Sequence, residues 1–218
     1  MEKINKVAVL CGGSSSEREI SLQSGEGVHN AICGLGYESD LIDFKNLSNL
    51  DELKIYDFIF IALHGFEGEG GKLQKDLEDL NILYSGSGPE ACAKTWSKKV
   101  TKKILEENNI NTPISISISE FTRQIAKNGL NISSFDCFRP FNYLFLKPDE
   151  DGSSIDIFKI SDDQSLQHAY KKCINHKRGF LFEEYIKGRE LTVTVIDNEC
   201  FPPIEIITKN EFYDYDAK

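Results

Sequence analysis

The sequence predicts an α/β protein, with a parallel sheet in its first part and mixed α+β structure after it. Three observations carry this. Apolar runs at Val7–Leu10 and Asp57–Leu63 alternate with helix-like periodicity, the pattern of parallel strands joined by crossover helices. The run FIFIAL inside the second of them is apolar on both faces, as suits a strand covered on each side by helices. After Gly88 the alternation gives way to a lysine-rich helical stretch and then to short strands divided by polar turns.

The elements follow in chain order. Val7–Leu10 is a strand that ends at Gly12-Gly13. Helical spacing runs from Leu22 to Leu35, with Gly34 and Gly36 placed to end it. Ser39–Phe44 and Asp57–Leu63 are strands, Leu73 to Leu80 a helix, and ILYSGSG (82–88) a strand and turn. Glu90–Asn108 forms one or two helices, stopped by Thr112-Pro113. Ser115–Glu120 and Asn142–Leu146 are strands around another helix, and Lys147-Pro148 leads into the polar turn Asp149–Ser154. Ile155–Ile160 is a strand, Asp163–Ile174 a helix and Gly179–Ile186 a strand. Glu190–Ile196 and Phe201–Thr208 pair antiparallel through Asp197-Asn198. Domain boundaries are expected near residue 92 and near residue 184, giving segments 1–92, 93–183 and 184–218.

Composition narrows the function. The 218 residues are 40% hydrophobic and 28% charged, enough for a packed core and against wholesale disorder. Net charge is −10, which argues against a non-specific nucleic-acid binder, since that needs a basic face, and leaves room for a local basic pocket for a nucleotide. No apolar run reaches the ~18–20 residues of a membrane span. The stretch VAVLC before the first glycines is shorter than the apolar region of about 7–15 residues in a signal peptide. The expectation is a cytoplasmic protein with neither nucleic acid nor membrane as partner. The six cysteines are dispersed with no CxxC pair, so neither a disulfide framework nor a zinc site is expected.

Four constellations have chemical potential. GGSSSERE (12–19) sets a glycine turn between strand and helix; its backbone N–H groups can approach an anion, and Glu17 is either an acidic residue favoured by the helix dipole or a ligand contact. HGFEGEGG (64–71) follows a strand, so His64 belongs on the same carboxyl edge of the sheet as Gly12-Gly13, where ligands bind in open α/β sheets. It is either a satisfied histidine on a flexible loop or a partner of Glu17 around one small ligand. Lys147 before the Gly-Ser-Ser turn (145–160) suits phosphate as a point charge beside loop donors, although lysine-flanked Ser-Gly turns are common. FLFEEYIKGRE (180–190) is an apolar strand running into carboxylates, either an ordinary strand end or an edge for adenine and ribose. The absence of GxGxxG argues against a dinucleotide site.

Seven segments in order, from Val7 to Lys218, together resemble the D-alanine–D-alanine ligases of the ATP-grasp superfamily. They are GGSSSEREISLQSG (12–25), ALHGFEGEGGKLQ (62–74), ILYSGSG (82–88), SKKVTKK (97–103), LKPDEDGSS (146–154), FEEYIKGRELTV (182–193) and FYDYDAK (212–218). The resemblance implies an ATP-grasp fold, with an N-terminal parallel α/β (Rossmann-like) domain followed by central and partial C-terminal α+β domains. It implies ATP- and Mg2+-dependent joining of two D-alanines through an acyl phosphate, for peptidoglycan, by a homodimer. On matching positions, Glu17 holds the first D-alanine's ammonium, His64 lines that pocket and Ser153 orients Glu17. Lys98, Lys147, Ser153, Ser154 and Lys218 match contacts to ATP. Glu183, Tyr185 and Ile186 border adenine, Glu190 takes the ribose and Phe212 lies on the adenine side.

The chain departs from this pattern in places. Gly70 stands where the family usually has an acid, Ser97 precedes Lys98 in place of aspartate, and Asp156 replaces a glycine; the Asp156 side chain is expected to point away from the nucleotide. The sequence stops at Lys218, where the family continues with a tyrosine, an arginine and the magnesium ligands. The expectation is therefore a fragment, or a stop where an omega loop begins, with metal ligands beyond Lys218. The alternatives are a non-catalytic binding remnant, if the protein ends there, and a D-alanine–D-lactate ligase.

Overall fold

The computed structural model describes residues 4–132, 143–152 and 156–207. Two compact units emerge, Met1–Ile104 and Leu105–Lys218.

In the first unit a three-stranded parallel sheet has the order β2-β1-β3, with β1 Lys6–Cys11, β2 Glu38–Asp43 and β3 Phe58–Ile61. The middle strand is buried from Val7 onward. Its pleat divides its side chains between two cores. Ala8 and Leu10 join Leu53, Ile59, Leu73 and Leu77 on one face, and Val9 and Cys11 join Leu22, Val28, Ile32 and Phe60 on the other. Helix α1, Arg18–Gly34, lies against the second face. It comes close because position 25 is glycine: a Cβ there would stand 2.4 Å from the Cβ of Cys11. The helix begins at Arg18, with Glu17 at its start, ahead of the apolar spacing that sets in at Leu22. Short helices α2 (Phe66–Glu69) and α3 (Lys72–Asp79) follow β3. The expected strand in ILYSGSG reduces to a single parallel bridge, Ile59 to Tyr84. The lysine-rich stretch forms two helices, α4 (Pro89–Trp96) and α5 (Lys98–Glu107), with Ser97 accepting from the Val100 N–H at 3.3 Å between them.

The second unit contains a four-stranded antiparallel sheet of order β4-β7-β5-β6: β4 Ser115–Ser117, β5 Leu144–Pro148, β6 Phe158–Ile160 and β7 Phe180–Glu184. Helices α6 (Ile118–Asn128) and α7 (Asp163–Cys173) supply Phe121, Leu166, Ala169 and Cys173 to a core with Leu144, Leu146, Ile160 and Phe182. Phe121 stacks on Phe182 at 4.0 Å between centroids. The strand expected to reach Glu120 ends at Ser117, whose hydroxyl accepts from the Glu120 N–H and caps α6. The alternate face of the sheet is left to Phe145, Lys147 and Glu183, with Lys159 opposite Phe145.

Beyond it the expected antiparallel pair forms as two short ladders. β8 (Glu190–Thr192) pairs with β11 (Ile204–Ile206), and β9 (Val195–Ile196) with β10 (Glu199–Cys200). Asp197 and Asn198 at the tip both have positive φ, 50° and 68°, as a two-residue hairpin turn requires. Among the described residues no helix is long and apolar enough to cross a membrane.

Candidate active site

The glycine turn after β1 is built from Gly12 and Gly13, both at φ 75°, a conformation glycine adopts without steric cost. Its N–H groups are already used. Gly12 donates to the buried Ser21 hydroxyl (2.9 Å), Gly13 to Asp43 (3.3 Å) and Ser14 to Glu67 (2.7 Å). The Ser21 hydroxyl in turn donates to the Ala62 carbonyl at 2.7 Å. This corrects the expectation that these N–H groups cradle an external anion: the chain fills them with a hydroxyl and two of its own carboxylates. Arg18 locks the turn from the other side, donating to the Gly13 carbonyl (2.8 Å) and to both oxygens of Asp43 (2.9 and 2.6 Å). The Arg18 guanidinium holds the Asp43 carboxyl down at about 2, helped by the Lys45 and Gly13 N–H groups and opposed by burial.

Glu17 is the N-cap residue of α1, but its carboxylate makes no capping bond to the helix. His64 follows β3 on the same carboxyl edge. Its Nε2 is 3.4 Å from the Ser24 hydroxyl on α1, and its Nδ1 is 3.8 Å from Glu69 Oε1. Burial pushes the Glu69 carboxyl up; the charge of Glu17 adds to this and His64 opposes it. Glu17, His64 and Glu69 thus share one electrostatic environment. Glu69 was not singled out in the sequence; its signal was the second acid of HGFEGEGG. The turn carrying it is tight. A Cβ on Gly68 would stand 2.3 Å from the Leu63 carbonyl, and one on Gly70 would stand 2.5 Å from the Phe66 ring. Glycine at position 70 is therefore part of this turn's packing. Gln74 donates to the Gly68 carbonyl at 2.6 Å. A cavity of about 380 Å³ adjoins, lined by Leu63, Glu69, Gln74, Ser85, Cys92 and Trp96 among others.

In the second unit Lys147 on β5 forms an ion pair with the nearly buried Glu183 of β7. The register places Glu183 opposite Phe145, so the two charged side chains are diagonal neighbours on one sheet face. Glu184 is committed elsewhere, accepting from the Ile114 N–H at 2.7 Å. Tyr185 sits edge-on to Tyr143 and Phe145, at 5.9 and 5.7 Å. The Lys159 ammonium lies 4.0 Å from the centre of the Tyr143 ring, a cation–π distance. Ile186 is exposed just past β7, Glu190 is exposed at the start of β8, and Lys98 is half-buried at the start of α5. Lys147, Glu183 and Tyr185 are therefore brought to one strand pair, while Glu190 lies on a separate two-stranded ladder. Ser153, Ser154, Phe212 and Lys218 lie outside the described residues. Asp156 carries its charge to Arg178, with which it forms an ion pair.

A family model described as "D-ala D-ala ligase C-terminus" matches residues 121–218. The D-alanine--D-alanine ligase of Pseudoalteromonas translucida is 38% identical over 99% of this chain and 68% of its own length. The solved D-alanine--D-alanine ligase of Bacillus anthracis superposes with a TM-score of 0.75 at 31% identity, covering 98% of this chain and 68% of that one. The same enzyme complexed with ATP gives 0.76 at 28% identity, covering 96% and 68%. The fold is therefore that of an ATP-grasp protein. The chain belongs to the D-alanine–D-alanine ligase family.

Proposed function

We propose that the protein joins two D-alanines to D-alanyl-D-alanine at the expense of ATP, supplying peptidoglycan synthesis. The observation that supports this reading most is the grouping of Glu17, His64 and Glu69 at the carboxyl edge of the parallel sheet, where an α/β sheet takes its ligand. Glu17 holds the ammonium of the first D-alanine by a charge-assisted hydrogen bond. Glu69 deepens the negative field there, and His64 lies between it and Ser24. A carboxylate oxygen of that D-alanine attacks the γ-phosphorus of ATP, and ADP leaves. The amine of the second D-alanine then attacks the acyl carbon, loses a proton and displaces phosphate.

The ATP contacts are assigned residue by residue. Lys147 meets phosphate oxygens in place of Glu183, and Lys98 and Lys218 add charge. Glu183, Tyr185 and Ile186 border the adenine, and Phe212 is the adenine-side aromatic. Glu190 takes the ribose, and Ser153 and Ser154 belong to the phosphate turn, Ser153 also orienting Glu17. Magnesium belongs to the same reading as a Lewis acid on the phosphates. The described residues do not fit a magnesium site, holding no group of three or more His, Cys, Asp or Glu side chains able to bind one. A cytoplasmic homodimer completes the proposal.

The test is D-alanine-dependent release of ADP together with formation of the dipeptide. L-alanine should support neither. ATP hydrolysis that ignores D-alanine would overturn the assignment.

A further inference from the structure

The cavity beside Glu69 is lined by charge of one sign. It measures about 380 Å³ and lies wholly within the first unit, a size that suits a small ligand. Ile61, Leu63 and the Trp96 ring give it apolar wall. Among the described residues Glu69 is the one charged lining group; no Lys, Arg or His joins it. Gln74 is 3% exposed. Its Nε2 donates to the Gly68 carbonyl, which can only accept, so Oε1 is the atom left without a partner among the described residues. The Thr95 hydroxyl spends its proton on the Ala91 carbonyl at 2.9 Å and keeps lone pairs to offer. Trp96 is the opposite case: its Nε1–H is buried with no acceptor among the described residues. A buried polar atom without a partner carries a desolvation cost that a complementary ligand group relieves.

We infer that this cavity binds a small organic cation that also carries a neutral oxygen, an amino alcohol or amino amide: the ammonium meets Glu69 and Gln74, and the oxygen takes the Trp96 N–H. The site is distinct from that of the amino-acid substrate. D-alanine brings a carboxylate, for which this lining offers no positive partner, and burying an unpaired charge is costly. Burial pushes the Glu69 carboxyl up, and an ammonium beside it offsets that cost. The inference does not rest on the assignment of D-alanine to Glu17.

Trp96 is the only tryptophan of the sequence, so its emission reports on this cavity directly. Native protein is titrated with linear, end-substituted aminobutanol, butanediol and hydroxybutyrate, read by Trp96 emission and by calorimetry. Aminobutanol should saturate and bind about tenfold more tightly than the uncharged diol, and hydroxybutyrate should not saturate. Glu69→Gln should abolish the preference for the amine. Trp96→Phe, read by calorimetry, should weaken aminobutanol about threefold or more. If Glu69→Gln fails to fold, the three ligands on native protein decide alone. No saturable amine binding, or equal binding of amine and diol, overturns the inference. Saturating D-alanine, and separately Glu17→Gln, should leave aminobutanol affinity within about threefold, since charges outside the cavity are screened. Displacement by D-alanine, or loss of the amine in Glu17→Gln, would put the amine in the amino-acid site and overturn the cavity site. Native protein that binds aminobutanol but not D-alanine overturns the proposed function and leaves this site standing.

Discussion

Two turns carry the candidate ligand contacts, and each is tied by an arginine to aspartate. In the turn after β1, Arg18 reaches Asp43, and the turn's backbone donors are also satisfied, by Ser21, Asp43 and Glu67. After β5, Arg178 reaches two aspartates, and the Asp149 N–H donates to the Gly179 carbonyl. The first is fixed from many sides and presents Glu17 from a rigid frame. In the second, one guanidinium serves two carboxylates. Preorganisation suits the smaller ligand, which has few atoms with which to order a loop. A nucleotide has many.

The largest expected effect breaks the first frame. Gly68→Ala drives a Cβ into the Leu63 carbonyl at 2.3 Å, displacing the turn that carries Glu67 and Glu69. A loss of about 3 kcal/mol in urea unfolding is expected, with D-alanine affinity falling too; unchanged stability would show that the frame is softer than its geometry. Next, Glu17→Gln removes a charge from the ammonium contact. D-alanine should bind about 10–100-fold more weakly while ATP affinity stays, and calorimetry that finds equal losses would detach Glu17 from the amino acid. Lys147→Ala should weaken ATP about tenfold more than AMP. Equal loss would return Lys147 to a plain ion pair with Glu183.

Smaller effects sharpen the comparison through pH. The Asp43 carboxyl is depressed from 3.8 to about 2. Its contribution is present above 3.8 and is lost as pH falls through 2. Acid unfolding of Asp43→Asn should lack that component of the native curve. Glu69 shifts the opposite way, so its contribution is present at low pH and is lost as pH rises through its raised value. Glu69→Gln should therefore gain slightly at neutral pH. With the side chain 47% exposed, solvent screening keeps the gain below about 0.5 kcal/mol. A loss in thermal unfolding would mean that the His64 contact outweighs burial.

Much of the fold was legible where apolar periodicity is strong. β1, β3, α7 and β7 fall within a residue or two of expectation, because their burial is written locally. β4 was read too long because Ser117 reads as strand but acts as a cap. The pairings that shape the site were not legible. Arg18 meets Asp43 across 25 positions, Ser14 meets Glu67 across 53, and Arg178 meets Asp156 across 22; no window along the chain holds both partners. Glu17, His64 and Lys147 were legible as residue types at strand ends. Glu69 stands only five positions after His64 in HGFEGEGG, but two acids in that loop leave open which of them faces the histidine.

The satisfied donors after β1 have a further consequence for how the protein treats dissolved anions. Asp43 and Glu67 act there as resident anions on a covalent leash, so their local concentration far exceeds that of free phosphate or sulfate in a cell. A tethered competitor cannot be diluted away. A dissolved anion such as phosphate has to displace a tethered carboxylate before it can reach the Gly13 and Ser14 N–H groups. Shortening Glu67 to serine would release the Ser14 N–H and turn a closed turn into a sulfate-sensitive one.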